Sequence, residues 1–330
     1  MDLVMSPWEA GERVEYVQEL VGKGDLDKLA QVLLFSSAEH EGVGVGAVLR
    51  AMPQGDREVL AQAFGEYVGT TRGVGDGRER GLVLLALVTR TSAAGAWCDA
   101  WNALLEKWAE QYWYAQTMDE LWVLSGALLD AGRSLSGEVV GLLRRSELEG
   151  FWDHVPTASI LERLTEPVLN PGEPWADSVL AELSTLGAEW IVLVRHLLAV
   201  PGGAHTRAWD RRAAELADAL GPERVRRTAE AWLERAAEGG GGSDGAYDRY
   251  NRPALRGLAL LLSLLPAHPR TVRVLGALVE RPPVKATVAG SGVQALARLA
   301  GGAGRPELER LADCVTHKVT LKQIRAALAV

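Results

Sequence analysis

The chain has 330 residues, 48% of them hydrophobic and 24% charged, with a formal net charge of −8. That length can bury a large core, the apolar share is that of an ordinary globular protein rather than a disordered chain, and the acidic balance argues against a surface built throughout for nucleic acid. Cys98 and Cys314 lie far apart, which excludes a disulfide framework and a cysteine metal site, so a reducing cytoplasm is the expected location.

Along the chain, apolar residues recur at helical spacing and no stretch alternates with period two, so an all-α fold is predicted. Ser6-Pro7-Trp8-Glu9 reads as a capping box opening a helix that runs to about Val21, with no basic start or apolar core of a signal peptide. Gly22 and Gly24 stop it, and Asp25 is placed to cap the next helix. Gly42 to Gly46 and Gly73 to Gly77 lack the strand and spacing of a dinucleotide fingerprint and read as loops or helix ends. Ser92 is placed to cap a long helix through Trp97, Trp101, Leu104 and Trp108, whose side chains fall within about 40° on a helical wheel. Tryptophans at this spacing are core packing or line an aromatic groove for a ligand or peptide. Thr117-Met118-Asp119-Glu120 is a second capping box, and its helix should end near Gly132.

Pro167, Pro171 and Gly172 make residues 166–173 a rigid break. Beyond it, Trp209, Ala213, Leu216, Ala217 and Leu220 form one apolar stripe, and Val225, Ala229, Trp232, Leu233 and Ala236 form another at the same offsets. Only Gly221-Pro222, a stop and a start, separates them, which predicts an antiparallel helical hairpin. The tetraglycine at 239–242 lies in a solvated linker, since no strand precedes it and no Gly-Lys-Ser/Thr follows. Pro174, Pro222 and Pro306 all sit where a first-turn proline belongs. The predicted organisation is an acidic, tryptophan-rich array over 1–165, middle hairpins over 174–238 and a basic group over 251–330, stacked as one α-α superhelix. A structural period without a repeated consensus favours a HEAT/armadillo-like solenoid of antiparallel hairpins over a tetratricopeptide or ankyrin array.

The last group opens with Asn251 as a predicted cap, then Leu255-Arg256-Gly257-Leu258 and a leucine run to Leu265. Val284-Lys285-Ala286, Ala295-Leu296, His317-Lys318-Val319 and Gln323-Ile324 follow. This succession resembles the helical region of the DUF4132 family, large bacterial proteins also described as MolR-like, over residues 251–328. The chain departs from that family's pattern at Thr287 to Gly290, where an asparagine-rich spot is usual. The resemblance implies a helical-repeat fold and assigns no activity.

Charge is unevenly spread. Residues 1–200 carry 30 acidic and 15 basic side chains, whereas residues 251–330 carry 4 and 12. The basic end either balances the acidic one or binds something anionic. Arg252, Arg256, Lys285, Arg298, Lys318, Lys322 and Arg325 would form adjacent stripes on equivalent helices, a candidate partner-binding groove. Arg211 with Glu215 and Arg226 with Glu230 read as i,i+4 pairs on solvent faces. His196, in the apolar run from Trp190 to Val200, reads as a hydrogen-bonded core histidine. No histidine pairs with a ligand at metal spacing, there is no nucleophile elbow, and no run approaches a membrane span, so neither metal nor cofactor is expected. These features point to a non-enzymatic scaffold for a protein or peptide partner, possibly an acidic one. The alternative is a HEAT-like DNA glycosylase or another enzyme acting on nucleic acid.

Overall fold

The structure, a computed structural model, describes residues 10–35, 42–71, 76–89, 94–116, 118–150, 157–202, 206–239, 247–280 and 287–329. These residues form eighteen α-helices and two 3₁₀ turns, in two compact units meeting between Thr165 and Glu166, at the start of the proline-rich break. Unit 1 carries 25 acidic and 14 basic residues, and unit 2 carries 18 and 21, so their net charges are −11 and +3.

In unit 1 the helices are α1 Ala10–Lys23, α2 Leu26–Phe35, α3 Gly42–Ala51, α4 Gln54–Thr70, α5 Asp76–Val88, α6 Cys98–Gln111, α7 Asp119–Asp130, α8 Gly137–Glu149 and α9 Ala158–Leu161. Helices α1, α3, α5, α7 and α9 touch in succession, while α2 packs on α4 and α6 packs on α8. Asp25 caps α2 as expected, accepting from the Lys28 amide at 3.3 Å. The glycines at 42–46, read as a loop or a helix end, form the N-terminal half of α3. Gly44 and Gly46 bring that helix against Val14 and Leu87, an approach a larger side chain would obstruct. The long helix expected through Trp97 is divided, with a 3₁₀ turn at Ala94–Ala96 before α6. The capping positions at Ser6, Ser92 and Thr117 lie outside the described residues.

In unit 2 the helices are α10 Pro174–Leu186, α11 Ala188–Leu198, α12 Arg207–Leu220, α13 Pro222–Gly239, α14 Arg252–Leu262, α15 Pro269–Glu280, α16 Thr287–Arg298, α17 Arg305–Cys314 and α18 Lys318–Leu328. Two rows emerge from the contacts: α11, α14, α16 and α18 touch in succession, and so do α10, α13, α15 and α17. Sequence neighbours such as α15 and α16, or α17 and α18, join the rows. Helix α12 is an addition, lying against α11, α13 and α14. The predicted α12–α13 hairpin is present. Gly221, at φ 89°, turns the chain, and Trp209, Ala213, Ala217, Val225, Ala229, Trp232, Leu233 and Ala236 are all buried.

Helix α14 is apolar almost all round and is buried accordingly. Gly257 allows the backbone of α11 to approach it, because a Cβ there would stand 2.6 Å from the Leu197 carbonyl oxygen. Asn251 does not cap α14 with its side chain. It is buried and faces the 166–173 break instead, where its Oδ1 accepts from the Asn170 amide at 2.8 Å.

Candidate functional site

The seven basic residues of the expected groove fall into two groups. Arg298 of α16 forms an ion pair at 2.8 Å with Asp210 of α12. Arg256 of α14 turns inward, donating to the carbonyls of Pro201 at 3.0 Å and Gly202 at 3.3 Å and to the Ser291 hydroxyl at 3.3 Å. Burial holds its guanidinium below the usual arginine range. Arg252 folds onto the Tyr247 carbonyl at 3.2 Å. These three side chains fasten elements of unit 2 together rather than line an open surface. Lys285 lies outside the described residues.

The other group is on α18. His317 supplies its cap, with Nδ1 accepting from the Thr320 amide at 3.4 Å, and Thr320 and Ile324 bury one face against α16 and α17. Lys318, Lys322 and Arg325 project from the opposite side, all exposed and without an ion pair among the described residues. Beside them stands Val319, 52% exposed. No acidic residue occupies the first turn of α18, so its positive helix end adds to the charge of Lys318 there.

The tryptophan stripe on α6 is largely core. Trp101 is fully buried and donates from its indole to the Leu82 carbonyl at 2.9 Å, Trp108 is buried, and only Trp97 keeps part of its surface in solvent. A run of exposed aromatic residues comes just after that helix, in a non-helical segment that helical spacing does not reveal: Tyr112, Trp113 and Tyr114. Three consecutive aromatic residues cannot share one buried face, and that was the available signal. The segment is clipped to α8. Arg145 donates to the Trp113 carbonyl at 2.7 Å and lies over its ring at 3.8 Å, and Ser146 accepts from the Ala115 amide at 2.9 Å.

Two buried polar clusters were not legible from spacing. Asn170, Glu173, Asp248 and Asn251 are buried and hydrogen-bonded to one another. Glu173 accepts from the Asp248 amide at 2.8 Å and from the Asn251 side chain at 2.9 Å, and Asn170 donates to Asp248 at 3.2 Å. Burial pushes the Glu173 carboxyl up, partly offset by those hydrogen bonds. Both carboxylates are shielded from water and committed to these bonds, so the network staples the break to the start of α14. In the second cluster, Arg226 and Glu230 pair at 2.6 Å with 8% and 0% of their side chains exposed, correcting the solvent-face expectation. Thr271 of α15 donates to the same carboxylate at 2.6 Å. The other expected pair is also altered, since the arginine reaching Glu215 is Arg212, at 3.2 Å.

His196 is hydrogen-bonded as expected, its Nε2 3.0 Å from the Trp209 carbonyl and its ring stacked on that indole, but it is half-buried and not a core residue. Among the described residues no cluster of three or more His, Cys, Asp or Glu could hold a metal ion, and no helix is long and apolar enough to cross a membrane. No family model, curated protein or solved structure matches the chain.

Proposed function

We propose that the chain is a HEAT-like α-solenoid acting in the cytoplasm as a non-enzymatic scaffold, and that α18 docks an acidic segment of a protein partner. The observation that carries this reading is the exposed, internally unpaired stripe of Lys318, Lys322 and Arg325. The two contact rows of unit 2 support the solenoid, because stacked hairpins place equivalent helices side by side. The DUF4132-like succession over residues 251–328 is in keeping with the same architecture. Duplex DNA is a poorer fit. Arg252, Arg256 and Arg298 are engaged within unit 2, leaving few cations on this face to neutralise phosphates.

The test is fluorescence anisotropy with a labelled oligoglutamate peptide and a labelled DNA duplex, using wild type and Lys318→Glu/Lys322→Glu/Arg325→Glu. The expected result is salt-sensitive peptide binding that the triple variant loses by tenfold or more, on the order of 1.4 kcal/mol. Tighter DNA binding with a steep salt dependence would replace the scaffold with the nucleic-acid reading.

A further inference from the structure

We propose that the acidic segment taken by α18 is α1 of a second copy of this chain. This rests on the docking reading of α18 and names its occupant. On α18, Lys318, Lys322 and Arg325 are exposed and fall within about 60° on a helical wheel, away from the buried Thr320 and Ile324. On α1, Glu12, Glu15 and Glu19 are exposed within a sector of about the same width, away from the buried Val17 and Leu20.

The two stripes match in spacing as well as in sign. Successive acids on α1 are three and then four residues apart, and successive cations on α18 are four and then three apart. Laid antiparallel, the helices bring Glu12 to Arg325, Glu15 to Lys322 and Glu19 to Lys318, all in register. A parallel pairing that joined the outer couples would leave Glu15 opposite Leu321, one residue from Lys322. Antiparallel packing also sets the positive end of each helix beside the negative end of the other.

Among the described helices, α1 alone carries three exposed carboxylates on successive turns of one face. Glu12 and Glu15 make no ion pair among the described residues. Glu19 pairs with Lys23, but both side chains are more than half exposed, and a pair of that kind is readily exchanged for another. The face is also open. Gly11 and Gly22 border the stripe, and an added Cβ at either would meet nothing within 4 Å among the described residues. Beside the cations of α18 stand only the small exposed side chains of Val319 and Ala326. Long basic side chains can therefore lie along the contact, their stems on apolar surface and their heads on the carboxylates. The chain as a whole carries −8, so its copies repel one another and only a local match of charge can join them.

The experiment is sedimentation velocity on the full chain, over a concentration series at low and at high ionic strength. Wild type is compared with Lys318→Glu/Lys322→Glu/Arg325→Glu, with Glu12→Lys/Glu15→Lys/Glu19→Lys and with the two sets combined, and circular dichroism checks that each is folded. Wild type should self-associate, and less so in high salt. Either set alone should weaken the association by about tenfold or more, and the combined variant, in which both signs are exchanged, should regain it. The proposal is overturned if wild type stays monomeric, if either reversal leaves association unchanged, or if the combined variant does not recover it. Oligoglutamate binding, measured on the same proteins, separates this proposal from the reading beneath it. If the chain stays monomeric yet binds the peptide through α18, the second copy is excluded and the docking reading stands. If reversing α18 alters neither self-association nor peptide binding, both are overturned.

Discussion

Replacing Gly257 with alanine sets two calculable effects against each other. Alanine in a helix interior is worth about 1 kcal/mol over glycine, so α14 taken alone would gain. The added Cβ, however, would stand 2.6 Å from the Leu197 carbonyl oxygen and 2.8 Å from the Leu197 Cα. Carbon atoms pack comfortably at about 3.5 Å or more, so α11 and α14 would have to part by roughly 0.7 Å along a seam that is apolar on both sides. Overpacking of this kind costs about 1–3 kcal/mol, and after the gain of about 1 kcal/mol the net effect should be a loss of about 0–2 kcal/mol. For a domain of this size that lowers the unfolding midpoint by up to about 8 °C, and by more relative to the control, which keeps the helix gain without the clash. Thermal and urea unfolding followed by far-ultraviolet circular dichroism would measure it. Gly69→Ala in α4, where no atom lies within 4 Å of the added Cβ, is the control and should be neutral or mildly stabilising. Since two of the close atoms are backbone, trimming the side chain with Leu197→Ala should not rescue Gly257→Ala. If Gly257→Ala proves as stable as the control, the α11–α14 contact is not the reason for glycine there.

Three further outcomes follow from the buried and paired charges. Arg226→Met leaves the fully buried Glu230 without its closest cation and should cost about 3–5 kcal/mol in urea unfolding, part of which the double variant Arg226→Met/Glu230→Gln recovers; a near-neutral single variant would refute the pairing. Glu173 holds its proton more tightly in the folded chain than in the unfolded one. Its contribution to stability should therefore be greatest below the ordinary carboxylate value of 4.5 and be lost as pH rises through the folded pKa. Unfolding curves collected across that range should show a negative slope that Glu173→Gln flattens, and an unchanged slope would exclude Glu173 as its source. Finally, Arg298→Gln should lower stability through loss of the Asp210 pair and leave oligoglutamate binding intact, while Lys322→Glu should do the reverse. Weakened peptide binding in Arg298→Gln would return that residue to the docking surface.

The elements legible in the sequence were those whose signals are local. The α12–α13 hairpin needed only two amphipathic stripes and the stop and start between them, and Asp25, Pro174, Pro222 and Pro306 mark helix starts by chemistry confined to one turn. What was misread depended on a third element. Asn251 has the composition of a cap, but its partners Asn170 and Glu173 are 81 and 78 residues away. Arg226 and Glu230 have the spacing of a surface pair, and they are buried because α15 brings Thr271 and Arg270 against them. Glycines 44 and 46 look like loop residues until α1 and α5 supply the neighbours that require small side chains in α3. Helical periodicity identifies which face is apolar. It does not identify which polar residues another helix will cover.

The same distinction governs the candidate surfaces. Counted along the chain, residues 251–330 carry an excess of eight positive charges, which suggests a broad basic groove. In the fold part of that excess is matched from outside the segment: Arg270 pairs with Glu234 and Arg298 with Asp210. These two carboxylates belong to α13 and α12, outside the basic segment, so regional charge overstates what a partner would meet. Exposed ion pairs are individually weak, but each neutralises the long-range field of its arginine. A field that can steer an acidic partner survives only where cations lack such neighbours, and on α18 Lys318, Lys322 and Arg325 have none among the described residues. Recognition is therefore argued from the charges the fold leaves unneutralised, and those are far fewer than the sequence contains.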